Sequence, residues 1–184
     1  SCASTQDVLH DPALPEGAVA VTVHQSAGRG RAGRRWEDEP GASLLLSVLL
    51  RPQETSEIAQ LSLVCALAVA ETVEGELDGD VGVKWPNDVL VDRRKLAGIL
   101  LEGRDGVVVC GIGLNVNQNE AGLPRDAGSP VASLRTITGR EHDRMELLVR
   151  LLERLETRYD AWRTNGLAPL LRELERRDVL RGSA

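Results

Sequence analysis

Alternating and uninterrupted hydrophobic stretches along the chain predict the strands of a sheet. Residues 18–24, AVAVTVH, alternate and are rich in β-branched side chains, which is typical of a strand. Residues 43–50, SLLLSVLL, form a continuous apolar stretch, which is typical of a strand buried on both faces. Further strands are predicted over residues 80–92, as a short pair broken at Pro86, over 95–102, which pairs back across a turn at 92–94, and over 107–117.

The segments between these strands predict helices and two long loops. A short helix is predicted over residues 4–10, capped by Ser4 or Thr5, and a long buried helix over 56–77, capped by Thr55. The later helices are an amphipathic one over 144–162 and a last one over 167–180, after the Asn165-Gly166 break. Residues 25–42 and 122–130 have neither the periodicity of a helix nor that of a strand, so they are predicted to be loops. A loop as long as the first is uncommon unless it is functional.

This order of elements predicts an α+β fold, with helices packed on a mostly antiparallel sheet. The 184 residues are 42% hydrophobic and 27% charged, which indicates one folded domain over residues 1–184. The chain has three Trp, one Tyr and no Phe, so its core must be built from Leu, Val, Ile and Ala.

Charge and cysteine content exclude several classes of protein. The net charge of −6 makes a general nucleic-acid binder unexpected, since binding to phosphates needs a basic face. Three scattered cysteines indicate reduced thiols in a cytoplasmic protein, with Cys65 and Cys110 as small core residues. The histidines have no ligand spacing, so no metal site built by the protein is predicted. The most hydrophobic segment is interrupted by polar residues and is too short to span a bilayer, and no signal peptide is evident.

The segment from Gly28 to Trp36, GRGRAGRRW, concentrates glycine and arginine within the first long loop. Its glycines satisfy the dinucleotide pattern G-x-G-x-x-G, but the following residues lead into a strand and not into a helix, so we take that match as accidental. Four arginines lie within residues 29–35 of an acidic chain. Either they form a local anion site, with glycines that let the backbone close over a ligand, or the segment is a solvated basic loop.

Three further motifs follow along the chain. KWPND, from Lys84 to Asp88, predicts a strand that ends in a turn. In KLAGILLE, from Lys95 to Glu102, a period of two puts Lys95 on one face with Ala97, Ile99 and Leu101, at the edge of an apolar surface. Lys95 either acts from that edge or extends to solvent, and Gly98 indicates that another group approaches closely.

The fourth motif, GIGLNVN from Gly111 to Asn117, has one face without bulky side chains. A period of two puts Gly111, Gly113, Asn115 and Asn117 on that face. Such a face either accepts a flat ligand whose hydrogen bonds lie at one end, or leaves room for a crossing helix.

None of the four motifs is decisive alone, but together and in this order they resemble the catalytic domain of biotin protein ligases. The resemblance covers nearly the whole chain, from Ser4 to NGLAPLL at residues 165–171. Ser4-Thr5-Gln6 is similar to a biotin motif in which the family usually has asparagine at the third position, and Ser43 also stands where asparagine is frequent. The resemblance implies the α+β core shared with lipoate ligases and class II aminoacyl-tRNA synthetases.

The resemblance also implies the residues of the site. The implied biotin contacts are Ser4, Thr5, Gln6, Gln25, Arg29, Gly30, Arg31 and Lys95, with the fused rings near the Gly98 and Gly113 backbones. The implied ATP contacts are Trp36, Asn87 and Asn115. The implied catalytic residues are Arg29, Arg31 and Lys95, with Asp88 as a candidate to orient or deprotonate the acceptor amine.

The implied reaction activates biotin with ATP and Mg²⁺ as biotinyl-5′-adenylate and transfers it to a lysine of a biotin carboxyl carrier protein. The family's amino-terminal DNA-binding domain and carboxy-terminal β-barrel are both expected to be missing, so we expect no binding to DNA. No membrane association is expected either, since no segment is long and apolar enough to span a bilayer, and a homodimer is possible. Two alternatives remain. One is a lipoate or octanoate ligase on the same scaffold, which GRGRAGRRW and KWPND disfavour. The other is a module that binds biotin without transferring it.

Overall fold

The computed structural model describes residues 1–11, 13–52, 58–104, 106–124 and 129–179. In chain order, the helices and strands of these residues are α1 (Thr5–Val8), β1 (Val19–Thr22), β2 (Ser43–Leu50), α2 (Ile58–Glu74), β3 (Val81–Lys84), β4 (Asp88–Val91), β5 (Arg94–Arg104), β6 (Val107–Asn115), α3 (Leu134–Thr138), α4 (Arg144–Asn165) and α5 (Leu171–Arg177). Short 3₁₀ turns lie at Arg31–Gly33 and Ala168–Leu170. The α+β class predicted from the sequence is confirmed.

The six strands form one sheet in the order β1-β2-β6-β5-β4-β3, and each neighbouring pair is antiparallel. Two of the turns contain residues with positive φ. Asp92 and Arg93 form the turn between β4 and β5, with φ of 50° and 61°, and Gly106, with φ of 77°, lies between β5 and β6. The antiparallel sheet is therefore built from local hairpins in its β3–β6 half.

Strand β2 has a different partner layer on each face, which explains its continuous apolar sequence. All eight of its residues are buried. Leu44, Leu46 and Val48 point into the main core, whereas Leu49 packs with Leu9 in a smaller cluster on the opposite face. The burial of β2 on both faces is confirmed.

Helices α2 and α4 cover the main-core face of the sheet. Helix α2 packs on β3, β4, β5 and β6, and α4 packs on α2. Helix α1 lies against β1, β2 and β6. Because Leu9, directly after α1, joins the smaller cluster, α1 lies on the face away from α2.

Helix boundaries differ from the prediction where glycine ends a helix. Helix α2 ends at Glu74, before Gly75, and not at residue 77. Its predicted cap, Thr55, lies outside the described residues. Helix α4 continues to Asn165, three residues further than predicted, and ends at Gly166, whose φ is 66°.

The last helix and one short helix also depart from the prediction. A 3₁₀ turn precedes α5, which ends at Arg177, while the predicted end at Leu180 lies outside the described residues. Helix α3 was not predicted, although Ser133 caps its start and Gly139, with φ of 74°, ends it. Five residues are too few for the periodicity that identifies longer helices.

The two core cysteines lie where the sequence predicted them. Cys65 on α2 and Cys110 on β6 are completely buried as free thiols, with their Sγ atoms 3.1 Å apart. The hydrogen bond with Cys65, together with burial, raises the pKa of the Cys110 thiol well above its ordinary value. Both residues therefore act as core packing between helix and sheet. No helix in the described ranges is long and apolar enough to cross a membrane.

Candidate active site

A cavity of about 260 Å³ opens on the α1 side of the sheet and contains the residues singled out from the sequence. All of the predicted site residues line it: Ser4, Thr5, Gln6, Gln25, Arg29, Gly30, Arg31, Trp36, Asn87, Asp88, Lys95 and Asn115. They come from segments far apart along the chain, so only the sheet and its loops bring them together. Gly98, Gly111 and Gly113 also line the cavity.

One end of the cavity is neutral and polar. The side chain of Gln25 accepts hydrogen bonds from the Thr5 backbone amide at 2.8 Å and from the Thr5 hydroxyl at 3.2 Å. The Thr5 hydroxyl is also 2.7 Å from the Ser47 hydroxyl. Ser4 accepts the Gln6 amide at 3.3 Å and so caps α1. Helix α1 is therefore fixed to the sheet by buried polar contacts.

Gln6 presents an unpaired acceptor at this end. Its Nε2 atom donates to the Leu100 carbonyl at 3.1 Å, while its Oε1 atom is buried without a hydrogen-bond partner. A Cβ atom on Gly111 would lie 2.6 Å from that Nε2 atom, so the glycine leaves room for the glutamine. A buried carbonyl without a partner is unfavourable, and a ligand N–H could satisfy it.

The indole of Trp36 lies over the bare glycine face, which neither sequence interpretation anticipated. A Cβ atom on Gly113 would lie 2.5 Å from Trp36 Cε2, and one on Gly98 would lie 3.0 Å from Trp36 Cζ3. The described chain places a side chain there and not a crossing helix. Trp36 belongs to a loop and not to a strand. Its indole therefore forms a wall of the cavity opposite the sheet.

A β-bulge in β5 changes the face on which Lys95 lies, and the predicted shared face was wrong. Lys95 pairs with Leu90 and Ala97 with Val89, so Leu96 is an extra residue in β5. Ala97 is in the main core and outside the cavity lining, whereas Lys95 lines the cavity. A Cβ atom on Gly98 would lie 3.2 Å from Lys95 Nζ, so Lys95 and Gly98 are neighbours in the site.

Lys95 does not extend freely to solvent. Its Nζ atom is 2.7 Å from Asp88 Oδ1, and both side chains are about four-fifths buried, with 22% and 20% exposure. The same ammonium is 5.7 Å from the centre of the Trp36 ring, within the range of a cation–π contact. The Asp88 carboxylate thus orients Lys95 toward the cavity.

Residues 28–36, here called the arginine hairpin, fold back on themselves over the cavity. Trp36 N donates to the Gly28 carbonyl at 3.0 Å, and Gly30 N donates to the Arg34 carbonyl at 2.7 Å. Ala32 at the tip has a φ of 55°, a conformation that is unusual for a residue with a side chain. The segment is therefore a folded hairpin and not an irregular basic loop.

The arginines of the hairpin have different partners. At the tip, Arg31 NH1 donates to Asn87 Oδ1 at 3.0 Å. Arg29 instead forms ion pairs with Glu102 and Asp7. Arg31 therefore keeps donors for a ligand, whereas the guanidinium of Arg29 is engaged by two carboxylates.

The two predicted nucleotide-binding asparagines are both held by protein contacts. Asn87 Nδ2 donates to the Ile99 carbonyl at 3.1 Å, and Asn115 Nδ2 donates to the Ala132 carbonyl at 3.1 Å. Gln118 Nε2 donates to Asn115 Oδ1 at 3.0 Å. The predicted common face did not extend to Asn117, which lies beyond β6 and exchanges hydrogen bonds with the backbone of His142.

Three residues that support the site were missed from the sequence: Asp7, Glu102 and Gln118. Their partners lie 22, 73 and 3 residues away, respectively, at Arg29, Arg29 and Asn115. The residue type of an acidic or amide side chain does not identify its partner, whether that partner is near or distant in sequence. In the part of the chain that is described, no group of three or more His, Cys, Asp or Glu side chains is arranged to hold a metal ion.

Comparison with known proteins agrees with this fold. The model of the biotin/lipoate A/B protein ligase family matches residues 3–119. Over 173 residues the chain is 38% identical to the biotin–[acetyl-CoA-carboxylase] ligase of Mycobacterium tuberculosis, covering 91% of this chain and 63% of that protein. It is 35% identical over 176 residues to the bifunctional ligase/repressor BirA of Bacillus spizizenii, covering 91% of this chain and 54% of that protein.

A solved structure gives the same result. The biotin protein ligase from Aquifex aeolicus in complex with biotin and ATP superposes with a TM-score of 0.89 and 32% identity, covering 97% of this chain and 75% of that chain. The chain therefore has the α+β fold of that ligase. The chain belongs to the biotin/lipoate A/B protein ligase family. It spans between about half and two thirds of the length of the two relatives compared above.

Proposed function

We propose that this chain activates biotin with ATP as biotinyl-5′-adenylate and transfers the biotinyl group to a lysine of a biotin carboxyl carrier protein. The observation that carries the proposal is the polarity of the cavity. A neutral polar end at Thr5, Gln6 and Gln25 is joined through a glycine and indole wall to a cationic end at Arg31 and Lys95. Biotin has a neutral hydrogen-bonding ureido group, flat fused rings and an anionic tail, in the same order.

The neutral end favours biotin over lipoate. The buried Gln6 Oε1 atom lacks a donor, and the ureido group of biotin carries two N–H donors. The dithiolane ring of lipoate has none, so its binding would leave this carbonyl unsatisfied. Leaving a buried acceptor unpaired costs about 1–3 kcal/mol, which is enough to discriminate between the two acids.

In the activation step, a carboxylate oxygen of biotin bonds to the α-phosphorus of ATP. The bond from that phosphorus to the bridging oxygen breaks, and pyrophosphate leaves with the electron pair. The carboxylate is already ionised at neutral pH, so the barrier is mainly the approach of two anions. Arg31 and Lys95 oppose that repulsion with fixed positive charge. The arginine hairpin covers the adenylate and keeps out water that would hydrolyse it.

In the transfer step, the ammonium of the acceptor lysine loses a proton, and its nitrogen then attacks the acyl carbon. An amide forms, AMP leaves, and a second proton is released. Asp88 is our candidate to orient or deprotonate the amine. Its 2.7 Å contact with Lys95 favours orientation, because the ammonium of Lys95 already occupies the Oδ1 atom.

The nucleotide is proposed to lie near Trp36, Asn87 and Asn115, which share the cavity with the cationic end. Mg²⁺ would be held by the phosphates of ATP, since the described residues offer no acidic cluster for it. We also propose a cytoplasmic location, in keeping with the free cysteines, and no binding of DNA by this acidic chain. A homodimer remains open to measurement by ultracentrifugation.

The decisive experiment supplies ATP and Mg²⁺ with biotin, lipoate or octanoate and measures pyrophosphate release. Of the three acids, only biotin is expected to give pyrophosphate release. An added biotin carboxyl carrier protein should then be labelled, which mass spectrometry detects. Faster release with lipoate would overturn the choice of acid. Release without labelling would refute the transfer step, and biotin binding without release would leave only a binding module. Arg31→Ala should lose release, whereas Arg135→Ala, whose exposed arginine pairs with Glu141 away from the cavity, should not.

A further inference from the structure

We propose that Glu102 and Asp7 are positioning residues that anchor the arginine hairpin through Arg29. Arg29 NH1 is 2.9 Å from Asp7 Oδ1. Arg29 Nε donates to Glu102 Oε1, and Arg29 NH2 donates to Glu102 Oε2, each at 2.9 Å. One guanidinium therefore ties the base of the hairpin to α1 and to β5.

The geometry of these contacts makes the base of the hairpin firm. The Glu102 contact is bidentate, with two parallel N–H···O bonds, and charge-assisted bonds of this kind are about twice as strong as neutral ones. His10 Nε2 also approaches Glu102 Oε2 at 3.4 Å. The hydrogen bonds from Arg29 lower the pKa of Glu102, so its carboxylate stays ionised at neutral pH.

The tip of the hairpin is held much less firmly. Arg31 makes one hydrogen bond there, to the neutral amide of Asn87, and its side chain is exposed. A hairpin with a firm base and a weakly held tip opens at the tip when ligand enters or leaves. The two arginines thus have different roles. Arg29 holds the base of the hairpin in place, and Arg31 contacts the ligand.

Glu102 is connected to the site through Arg29. The cavity lining includes Arg29 and Leu100 but not Glu102. One part of this inference rests on the proposed function: a loosened hairpin would release the adenylate before transfer. The other part, that Glu102 and Asp7 restrain residues 28–36, does not depend on any ligand.

The first test uses the ligand-free protein. Amide hydrogen exchange over residues 28–36 is expected to be about tenfold faster in Glu102→Gln than in the unaltered chain, because a charged, bidentate contact is lost. Exchange in α2 should not change. Glu141→Gln, which removes an exposed arginine–glutamate pair at Arg135, is the matched control and should leave the hairpin unchanged. Equal exchange of the hairpin in Glu102→Gln and the unaltered chain would overturn the proposal.

The second test separates anchoring from a general structural role. With biotin, ATP and Mg²⁺, Glu102→Gln should release adenylate into solution faster and raise the KM for biotin, while Glu102→Asp should recover part of the difference. If hydrogen exchange in Glu102→Gln is faster throughout the chain, including α2, the milder variant Asp7→Asn is used instead. If exchange in Asp7→Asn is also faster to the same degree in α2 as in residues 28–36, the anchoring role is refuted. If the unaltered chain releases no pyrophosphate but the hairpin still loosens, the proposed function fails while the anchor stands.

Discussion

Replacing Gly113 by alanine tests whether the Trp36 indole is a wall of the ligand cavity. Gly113 does not have positive φ, so its backbone accepts a side chain. The added Cβ atom would lie 2.5 Å from Trp36 Cε2 and 2.6 Å from Trp36 Cζ2. Carbon atoms prefer about 3.5–4.0 Å, so the ring must move by about 1 Å or more.

The displacement should reduce ligand binding more than stability. Inserting a methyl group into a packed core costs about 1–3 kcal/mol, but a ring on a loop can move away and relieve most of that strain. We expect the free energy of unfolding to fall by less than about 1 kcal/mol. Biotin affinity should fall about tenfold to a hundredfold, which corresponds to roughly 1.4–2.8 kcal/mol.

Isothermal titration calorimetry with biotin measures the affinity, and urea unfolding measures the stability. The matched control is Gly103→Ala in the same sheet, where the nearest atom would be Ile58 Cδ1 at an ordinary 3.7 Å. In a double-mutant cycle, Gly113→Ala should have little further effect once Trp36 is alanine. The reasoning would be refuted by a Gly113→Ala protein that binds biotin as tightly as the unaltered chain.

Three further predictions concern the site and Glu76, which lies just after α2. Arg31→Ala should lower the adenylation rate about a hundredfold, the equivalent of roughly 3 kcal/mol of lost charge stabilisation, at an almost unchanged Tm. Arg31→Lys should recover part of that rate, and a normal steady-state rate in Arg31→Ala would contradict this role. Limited proteolysis should cut residues 28–36 in the free protein and spare them with biotin and ATP, whereas equal cleavage would argue against a closing hairpin. Burial acts to raise the pKa of Glu76, but hydrogen bonds from Arg150, His142 and Arg140 outweigh it and lower the pKa from 4.5 to about 2. Because this folded-state pKa is depressed, the stabilisation is present above about pH 4.5 and is lost as the pH falls toward 2, by up to about 3 kcal/mol. Urea unfolding across that range should show a smaller loss for Glu76→Gln, and an identical pH dependence would refute the assignment.

The sequence by itself determined the elements whose signals are local. Continuous burial of β2 followed from SLLLSVLL, because a strand covered on both faces needs no polar alternation. The turn at Asp92 and Arg93 followed from the polar residues between two apolar strands. Every residue that the family resemblance assigned to the site also lines the cavity, since four motifs in one order identify a family.

Only the tertiary structure decided how those residues are arranged. A period of two placed Lys95 on one face with Ala97 and Ile99. The bulge at Leu96 instead turns Lys95 toward the cavity, beside Gly98. One inserted residue reverses the face on which the preceding residues of the strand lie. The glycines indicated open space, and the fold filled it with an indole from another loop. The carboxylate partners of Arg29 could not be predicted, because ion pairs between segments 22 and 73 residues apart depend on how helix and sheet pack and have no signal in the local sequence.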